Sequence, residues 1–438
     1  MEIYKKNVLY KFADIIKNKN ISKNLFNSFY YFGGTFLSFL IAIFTQPIFS
    51  RYLELEDFAV IGYFGAIQAI IYPLFSMSLP FYYMARYWNK ETGEEGHKNL
   101  SFIMNFLNIS NSIIALIAYV ALRFYFHLAE VVFPLMPFIL IVLMNLFFEK
   151  FKTFYLLECR VHKQGLRFFL INVLQIVLNT GFSLYFVVTL QGGAVGKMSG
   201  ALVGVIIVGV LSLGILIRQK KYNFSLHIEK KKIISALKYC IPLIIGAYAY
   251  YPIGNIDKLF LERLGNVSEY GYYSIGLTIS GFVSAFFLAL YQSFEPDLYR
   301  LIAQKKHRQY KKYVRLYIVV IAVISVLFIL ISEPIVAFLT AGRYTYASTY
   351  ANIFVIGIFF MQVGGIYEQL FTAYGATKLV MWRNIMMGVF CIVVYYLMIH
   401  YFQFKGANIT RVFSALFYIL SGTLLWIYYK RKQLKAEA

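Results

Sequence analysis

Residues 198–217 read MSGALVGVIIVGVLSLGILI, a run of twenty residues without a charged side chain. A helix needs about 20 apolar residues to cross the hydrocarbon core of a bilayer. Because lipid offers no hydrogen-bond partner to backbone amides, this run is predicted to span a membrane as an α-helix. The whole chain has the same character, since 60% of its 438 residues are hydrophobic and only 14% are charged. The sequence therefore predicts an integral membrane protein without a sizeable water-soluble domain.

Twelve apolar runs follow one another along the chain and predict an all-α integral membrane protein with 12 transmembrane helices. We expect two parallel-oriented six-helix bundles around a central cavity. The predicted domains are a cytoplasmic basic amphipathic N-tail (1–23), an N-terminal six-helix bundle (24–217), a cytoplasmic basic linker (218–238), a C-terminal six-helix bundle (239–429) and a cytoplasmic tail (430–438). The predicted spans are Asn24–Ser50, Phe58–Arg86, Leu100–Phe126, Val131–Leu157, Phe168–Leu190, Met198–Ile217, Tyr239–Leu261, Tyr270–Phe294, Tyr313–Leu339, Tyr350–Tyr374, Leu379–Tyr401 and Ala407–Tyr429.

The basic residues lie between the apolar runs and indicate the orientation of the chain. The formal net charge is +22, which in a soluble protein would suggest a nucleic-acid partner. When each Lys or Arg is assigned to the nearer membrane face, the face with both termini receives 34 and the other face 8. The positive-inside rule then predicts that both termini are cytoplasmic and that the basic residues meet membrane lipids, and no nucleic acid is expected.

Two segments of the first half recur in the second half at nearly the same spacing. Residues 51–59 (RYLELEDFA) resemble residues 263–271 (RLGNVSEYG), a shift of 212, and Gly193-Ala194 recurs as Gly406-Ala407, a shift of 213. The shift equals the length of six spans. The halves are therefore predicted to be parallel copies, an arrangement that suits a transporter whose halves rock around a central site.

Three motifs of the second half carry a resemblance to a known family. They are Gly254-Asn255-Ile256-Asp257-Lys258 with the following Glu269-Tyr270-Gly271-Tyr272-Tyr273-Ser274, the segment 338–347 (FLTAGRYTYA), and 373–378 (AYGATK). Together with the length, span count and repeat, they make the whole chain resemble polysaccharide flippases of the multidrug/oligosaccharidyl-lipid/polysaccharide exporter superfamily. That group includes the flippases for O-antigen and capsule repeat units. In the first half, Ala59 stands where a glycine is common in the family.

The resemblance implies a function, a location and partners. The implied substrate is a polyprenyl-pyrophosphate-linked oligosaccharide of lipopolysaccharide, capsule or a related surface polysaccharide, flipped across the bacterial inner membrane by alternating access. The implied energy source is an Na⁺ or H⁺ gradient, or substrate supply, and a polysaccharide polymerase and chain-length proteins are candidate partners. A multidrug/cation antiporter of the same superfamily is the main alternative.

A membrane enzyme is disfavoured by the internal repeat and by the short loops on one face. The loops on the face without termini are short, the longest (340–349) having ten residues, and a membrane glycan polymerase or ligase usually needs a larger one. No phosphate-binding Walker motif occurs. The six histidines and three cysteines show no ligand spacing, so no metal site is predicted.

Basic residues within or beside the spans are the candidates for binding the pyrophosphate in a central cavity, since unpaired charges in lipid are costly. Arg51 and Arg263 occupy equivalent positions in the two halves, and Lys258 lies just before Arg263. The alternative is that these side chains reach the headgroups at the membrane surface. The full candidate set is Arg51, Arg263, Lys258, Arg86, Arg123 and Arg383.

Acidic and amide residues within the spans are candidates for a coupling-ion site. Asp257 follows Pro252 and Gly254, which should disturb the helix and free carbonyl oxygens near the carboxylate. The alternative is that Asp257 neutralises Lys258 or Arg263, and that Glu149 pairs with Lys150 and Lys152. The full candidate set is Asp257, Asn255, Glu368 and Glu149.

Small residues crowd the start of the sixth predicted span, and close packing against a neighbouring helix is the default interpretation. A lateral gap for a lipid tail is the second interpretation. The residues are Gly192, Gly193, Gly196, Gly200 and Gly204.

Overall fold

The computed structural model describes residues 19–89, 94–225 and 230–437, and within these ranges all regular structure is helical. The predicted all-α membrane fold is confirmed. The N-tail prediction falls largely on residues 1–18, which lie outside the described ranges. The helices are α1 (Lys19–Tyr52), α2 (Leu55–Ser76), α3 (Leu79–Asn89), α4 (Glu94–Leu128), α5 (Phe138–Val161), α6 (Gly165–Leu184), α7 (Gly193–Arg218), α8 (Lys230–Glu262), α9 (Val267–Ala303), α10 (His307–Leu330), α11 (Ser332–Leu339), α12 (Ala347–Ala373) and α13 (Thr377–Glu437).

Nine of the described helical segments are long and apolar enough to cross a membrane, and the last of them, Lys378–Arg431, has 54 residues. That segment contains two passes, because α13 folds back on itself at Gln403, whose φ is 51°. Cys391 Sγ lies 3.4 Å from Ser414 Oγ and the ring of Phe390 stacks on that of Phe417, as expected for two antiparallel arms. If α1 and α5 are counted as passes as well, the described residues contain twelve. We call the face that carries the beginning of α1 and the linker the terminal face, and the opposite one the distal face.

Several predicted spans are shorter or interrupted in the structure. The span predicted at 131–157 begins only at Phe138, because residues 131–137 form an irregular loop. The span predicted at 58–86 breaks between α2 and α3, where Met77 and Ser78 have positive φ. The span predicted at 168–190 ends in a π-helical turn at Tyr185–Thr189. The span predicted at 313–339 is interrupted at Ile331 and ends in the short helix α11. Residues 230–238 of the predicted linker form the start of α8.

The small residues of α7 allow its backbone to approach α6 closely. A Cβ built on Gly200 would lie 2.4 Å from Ser183 Cα, and one on Gly204 would lie 2.6 Å from the backbone nitrogen of Asn179. Both contacts are with backbone atoms, which cannot move aside as a side chain could. These glycines therefore serve helix packing, the default interpretation of the sequence.

We expect Gly200→Ala to destabilise the protein by about 1–3 kcal/mol, because overpacking forces α6 and α7 apart. Gly214→Ala in the same helix is the matched control, since a Cβ there would meet no atom within 4 Å. That control should leave the melting temperature unchanged or raise it, because alanine favours helices over glycine. Thermal unfolding of both purified variants measures the difference, and equal melting temperatures would contradict the packing role.

The two halves contact each other mainly through α2, which packs against α8 and α9. Tyr248 Oη donates to the carbonyl of Ile70 at 3.0 Å, and Tyr251 Oη donates to that of Ala66 at 3.2 Å. One buried apolar cluster includes side chains of both halves, among them Tyr63, Phe64 and Tyr273. This contact fixes the position of α8 and α9, the helices that carry much of the site described next.

Candidate functional site

A cavity of about 610 Å³, which we call the large cavity, lies within the C-terminal bundle, between α8, α9, α12 and α13. Its wall extends from Arg411, two turns after the reversal of α13, to Tyr299 and Thr372 near the terminal-face ends of α9 and α12. The volume falls within the roughly 300–1,000 Å³ typical of ligand sites. Its aromatic side chains are Tyr250, Tyr291, Tyr299, Phe354 and Tyr418, and its polar and charged ones include Ser284, Glu295, Gln362, Glu368, Gln369, Thr372, Arg411 and Ser414.

An ion pair between Asp257 and Arg411 closes the end of this cavity farthest from the terminal face. Arg411 Nη2 donates to Asp257 Oδ2 at 2.9 Å and to the carbonyl oxygen of Gly254 at 3.1 Å. The hydroxyl of Tyr273 donates to the same carboxylate oxygen. Asp257 is completely buried, and Arg411 retains 19% of its side-chain exposure where it faces the cavity. Gly357 leaves space for the stem of Arg411, because a Cβ there would come within 3.3 Å of it.

The partner of Asp257 differs from both residues that the sequence suggested. Lys258 donates instead to Asn255 Oδ1 at 3.0 Å, and Arg263 lies at the distal end of α8 with Nη2 3.4 Å from Tyr125 Oη. A carboxylate pairs with whichever cation the fold brings to it, and Arg411 is 154 residues away along the chain. Sequence reasoning missed Arg411 by counting it with the distal face. Its position inside the predicted span 407–429 was the available signal.

A second group of polar residues surrounds Glu368, nearer to the terminal face. Tyr418 Oη donates to Glu368 Oε2 at 2.5 Å. Behind Tyr418, Arg383 is fully buried, and its guanidinium lies 3.4 Å from the centre of the Tyr418 ring. Its Nη2 donates to the carbonyls of Gly364 at 2.8 Å and Tyr418 at 2.9 Å. The interpretation that Arg383 reaches the headgroups is therefore wrong, because this side chain ties together α12 and both arms of α13.

The remaining predicted site residues lie apart from this cavity. Arg51 and Arg123 are exposed near the distal ends of α1 and α4. The side chain of Arg86 lies outside the described residues. Glu149 belongs to the N-terminal bundle, where it pairs with Lys152 at 2.8 Å and accepts from Gln175 at 2.9 Å. Of the ten predicted residues, Glu368 lines the large cavity, and the pyrophosphate and coupling-ion roles of the others stay predictions.

The sequence suggested that Lys150 pairs with Glu149, but in the structure it does not. It is only 7% exposed, and its ammonium donates to the carbonyl of Leu107 at 3.4 Å. The ammonium also lies 3.5 Å from the centre of the Phe147 ring, a cation–π contact. Glu149 and Lys150 border a small cavity of about 80 Å³ in the N-terminal bundle. This cavity is much smaller than the one in the C-terminal bundle.

The distal face is closed by contacts between the halves, which we call the distal latch (Arg343 and Tyr344 with residues 50–54). Arg343 Nη2 donates to Glu54 Oε1 at 2.7 Å, and this hydrogen bond raises the pKa of the arginine. Tyr344 Oη donates to the carbonyl of Leu53 at 2.7 Å. Arg343 Nη1 donates to the carbonyls of Ser50 at 3.2 Å, Arg51 at 2.7 Å and Leu53 at 3.4 Å.

Also on the distal face, the carboxylate of Glu262 accepts from the backbone N–H of Val132 at 2.7 Å. This contact also joins the halves, because Glu262 ends α8 and Val132 lies in the loop before α5. The distal face is therefore held shut at two places, whereas the large cavity extends toward the terminal face.

Solved structures with the same fold are membrane transporters. The inward-closed lipid II flippase MurJ is 16% identical, with a TM-score of 0.70 and coverage of 89% of this chain and 86% of the other. An inward-facing multidrug resistance MATE transporter of the MOP superfamily is 14% identical, with a TM-score of 0.68 and coverage of 90% and 95%. A mutant of the Vibrio cholerae MATE transporter VcmN is 14% identical, with a TM-score of 0.55 and coverage of 94% and 98%.

Sequence families agree with this fold. No curated protein shows significant sequence similarity to the chain. Residues 242–397 match the family model MatE, and residues 25–296 match the model described as polysaccharide biosynthesis protein. The matches and the fold identify a multi-pass membrane transporter or flippase of the MOP superfamily, as the sequence predicted. With more than half of its length matched, the chain belongs to the polysaccharide biosynthesis protein family.

Proposed function

We propose that this protein flips polyprenyl-pyrophosphate-linked oligosaccharide repeat units of O-antigen, capsule or a related surface polysaccharide. Translocation runs from the cytoplasmic to the outer leaflet of the bacterial inner membrane by alternating access. The observation that carries the proposal is the wall of the large cavity, which combines five aromatic rings with amides and hydroxyls. Aromatic faces stack against the apolar faces of sugar rings, and amide and hydroxyl groups bond to sugar hydroxyls. MurJ, of similar fold, is a lipid II flippase.

The charges on the wall indicate which part of the substrate this cavity takes. Arg411 is already paired with Asp257, while Glu295 and Glu368 also face the cavity. Such a wall disfavours a pyrophosphate and suits an uncharged glycan, whose hydroxyls can donate to the carboxylates. We therefore assign the glycan to the C-terminal cavity. We assign the pyrophosphate to the candidate cations outside this cavity, with Arg51, Lys258 and Arg263 first among them.

The closed distal latch supports a cavity that opens and closes in alternation. If the termini are cytoplasmic, as the distribution of basic residues predicts, the described conformation faces the cytoplasm. Breaking the distal latch and closing the terminal face would then present the glycan to the outer leaflet. A polysaccharide polymerase and chain-length proteins are the proposed recipients of the flipped repeat unit.

Coupling to Na⁺ or H⁺ is proposed at Asp257. A buried carboxylate bonded to Arg411 and Tyr273 can exchange its partner for an ion only when these helices move. Such an exchange would link ion binding to the conformational cycle. Asn255 is the second proposed coupling-ion residue; in this conformation its Oδ1 accepts from Lys258, and it would need to turn toward Asp257 to share an ion with it.

A multidrug/cation antiporter is the second candidate, and one observation favours it. Glu295 and Glu368 on the cavity wall would attract an organic cation as well as sugar hydroxyls. The MatE match covers residues 242–397, which include α12 and most of α8.

Deletion of the gene and complementation separate the two candidates. We expect the deletion strain to lose surface glycan without becoming more sensitive to cationic drugs. The double variant Glu295→Gln/Glu368→Gln, expressed at the wild-type level, should restore most surface glycan, since glutamine still accepts a hydrogen bond. For an antiporter, the same variant should lose most cation export, because its attraction is electrostatic. Intact glycan with raised drug sensitivity in the deletion strain would overturn the flippase proposal.

A further inference from the structure

A groove of about 540 Å³ lies on the outside of the N-terminal bundle, near the terminal face. Arg167 in the first turn of α6 and Arg218 in the last turn of α7 form its rim, together with Gln219. Leu170 and Ile215, each one turn farther into the membrane, form part of its floor. The groove therefore has cations at the level of the terminal face and apolar side chains beneath them.

The positive charge of this rim is not neutralised by Glu158, a buried acid near the end of α5. Glu158 is only 2% exposed and is already engaged by Lys221 at 2.7 Å, by His162 at 3.3 Å and by the hydroxyl of Tyr83. Arg167 donates to the neutral side chain of Gln164 at 3.0 Å, and Arg218 is exposed. Two guanidinium groups are thus available to an anion, for which their planar donors are well suited.

The floor determines what kind of anion fits. Leu170 remains 54% exposed, so an occupant can cover an apolar surface below the anionic group. A soluble phosphate would leave this surface unused. A phospholipid would place its phosphate at the arginines and its acyl chains along α6 and α7, in the same order as the layers of a membrane leaflet.

We infer that this groove is a binding site for an anionic glycerophospholipid of the surrounding membrane. The phosphate bonds to Arg167 and Arg218, and the first part of an acyl chain covers Leu170 and Ile215. The site lies on the N-terminal bundle, whereas the proposed glycan cavity lies within the C-terminal bundle. It is therefore separate from the proposed glycan cavity and does not depend on the proposed function.

Native mass spectrometry of the delipidated full-length protein, titrated with phosphatidylglycerol or phosphatidylcholine, tests the inference. Wild-type protein should retain phosphatidylglycerol more strongly than phosphatidylcholine. Arg167→Gln/Arg218→Gln should weaken phosphatidylglycerol binding by roughly tenfold or more, since each basic residue near a membrane surface contributes a factor of about five to the affinity. The matched control is Arg308→Gln/Arg315→Gln, which removes two exposed arginines from α10 near the same face. It should bind as the wild type does.

A lysine variant and a competition with inorganic phosphate provide two further tests of lipid binding at this groove. Arg167→Lys/Arg218→Lys retains the charge and should recover most of the binding, which excludes a folding defect as the cause. Excess inorganic phosphate should leave the lipid bound, because it cannot cover Leu170 and Ile215. The inference is overturned if the glutamine variant binds phosphatidylglycerol like its control, if both lipids bind equally, or if phosphate alone displaces the lipid.

Discussion

Transport by an Asp257→Asn variant is expected to fall to a small fraction of the wild-type rate, and the protein should unfold at a lower temperature. The change leaves the Arg411 guanidinium beside a neutral amide in a site where Asp257 is completely buried. Removing one partner of a buried ion pair costs about 3–5 kcal/mol. Thermal unfolding and the restoration of surface glycan in the deletion strain, at matched membrane levels, measure both effects.

The double variant Asp257→Asn/Arg411→Gln separates a structural role of this pair from a role in coupling. With both charges removed, the melting temperature should recover most of its loss. Transport should remain low if Asp257 also binds the coupling ion, and should return with stability if the pair serves only the fold. Asp297→Asn is the matched control, because its partner Arg300, at 2.7 Å, is 61% exposed and surface pairs contribute roughly 0–1 kcal/mol. A stable and fully active Asp257→Asn variant would contradict both roles.

Covalent linkage of positions 54 and 343 is expected to stop transport completely. The distal latch joins the end of α1 and the loop after it to the loop before α12, so alternating access requires these residues to separate. A Glu54→Cys/Arg343→Cys variant would be treated with a cleavable bifunctional thiol reagent, and reduction should restore transport. The native cysteines are buried and should react little; they are Cys159, Cys240 and Cys391.

The control for this linkage joins two positions of the same half. The Glu333→Cys/Arg343→Cys variant keeps the cysteine at position 343 and places the second one at position 333 in α11, where the native side chain is exposed. Its reaction with the reagent should leave transport largely intact, because no movement between the halves is blocked. Full activity of the linked 54–343 protein would show that the distal latch stays closed throughout the cycle.

Hydrophobic run length predicted the fold because lipid imposes it. Every backbone amide in the hydrocarbon must find a partner within its own helix, so composition alone defines a span such as 198–217. The interruptions at Met77 and Ile331 were not predictable in the same way, since they lie within apolar sequence and depend on how neighbouring helices pack. Run length thus gives the number of passes and leaves their internal breaks open.

The candidate site was predictable only in part. Glu368 was one of four coupling-ion candidates, as a carboxylate within a span, and it lines the cavity. Arg411 did not stand out, since its role follows from a partner 154 residues away. In a bundle where helices are apolar on all sides, periodicity does not show which face meets a neighbour. The location of the cavity within the C-terminal half therefore required the packing of α8, α9, α12 and α13.

The chemistry of the distal latch also bears on how this protein can drift in sequence. Arg343 Nη1 and Tyr344 bond to backbone carbonyls of residues 50–53, groups that every amino acid carries. Substitutions at those positions cannot delete these acceptors, and on that side only Glu54 offers an acceptor that a substitution can remove. The donors, Arg343 and Tyr344, can each be removed by a single substitution. The latch contact itself should therefore tolerate almost any residue at position 51, whatever the proposed pyrophosphate role requires of the Arg51 side chain.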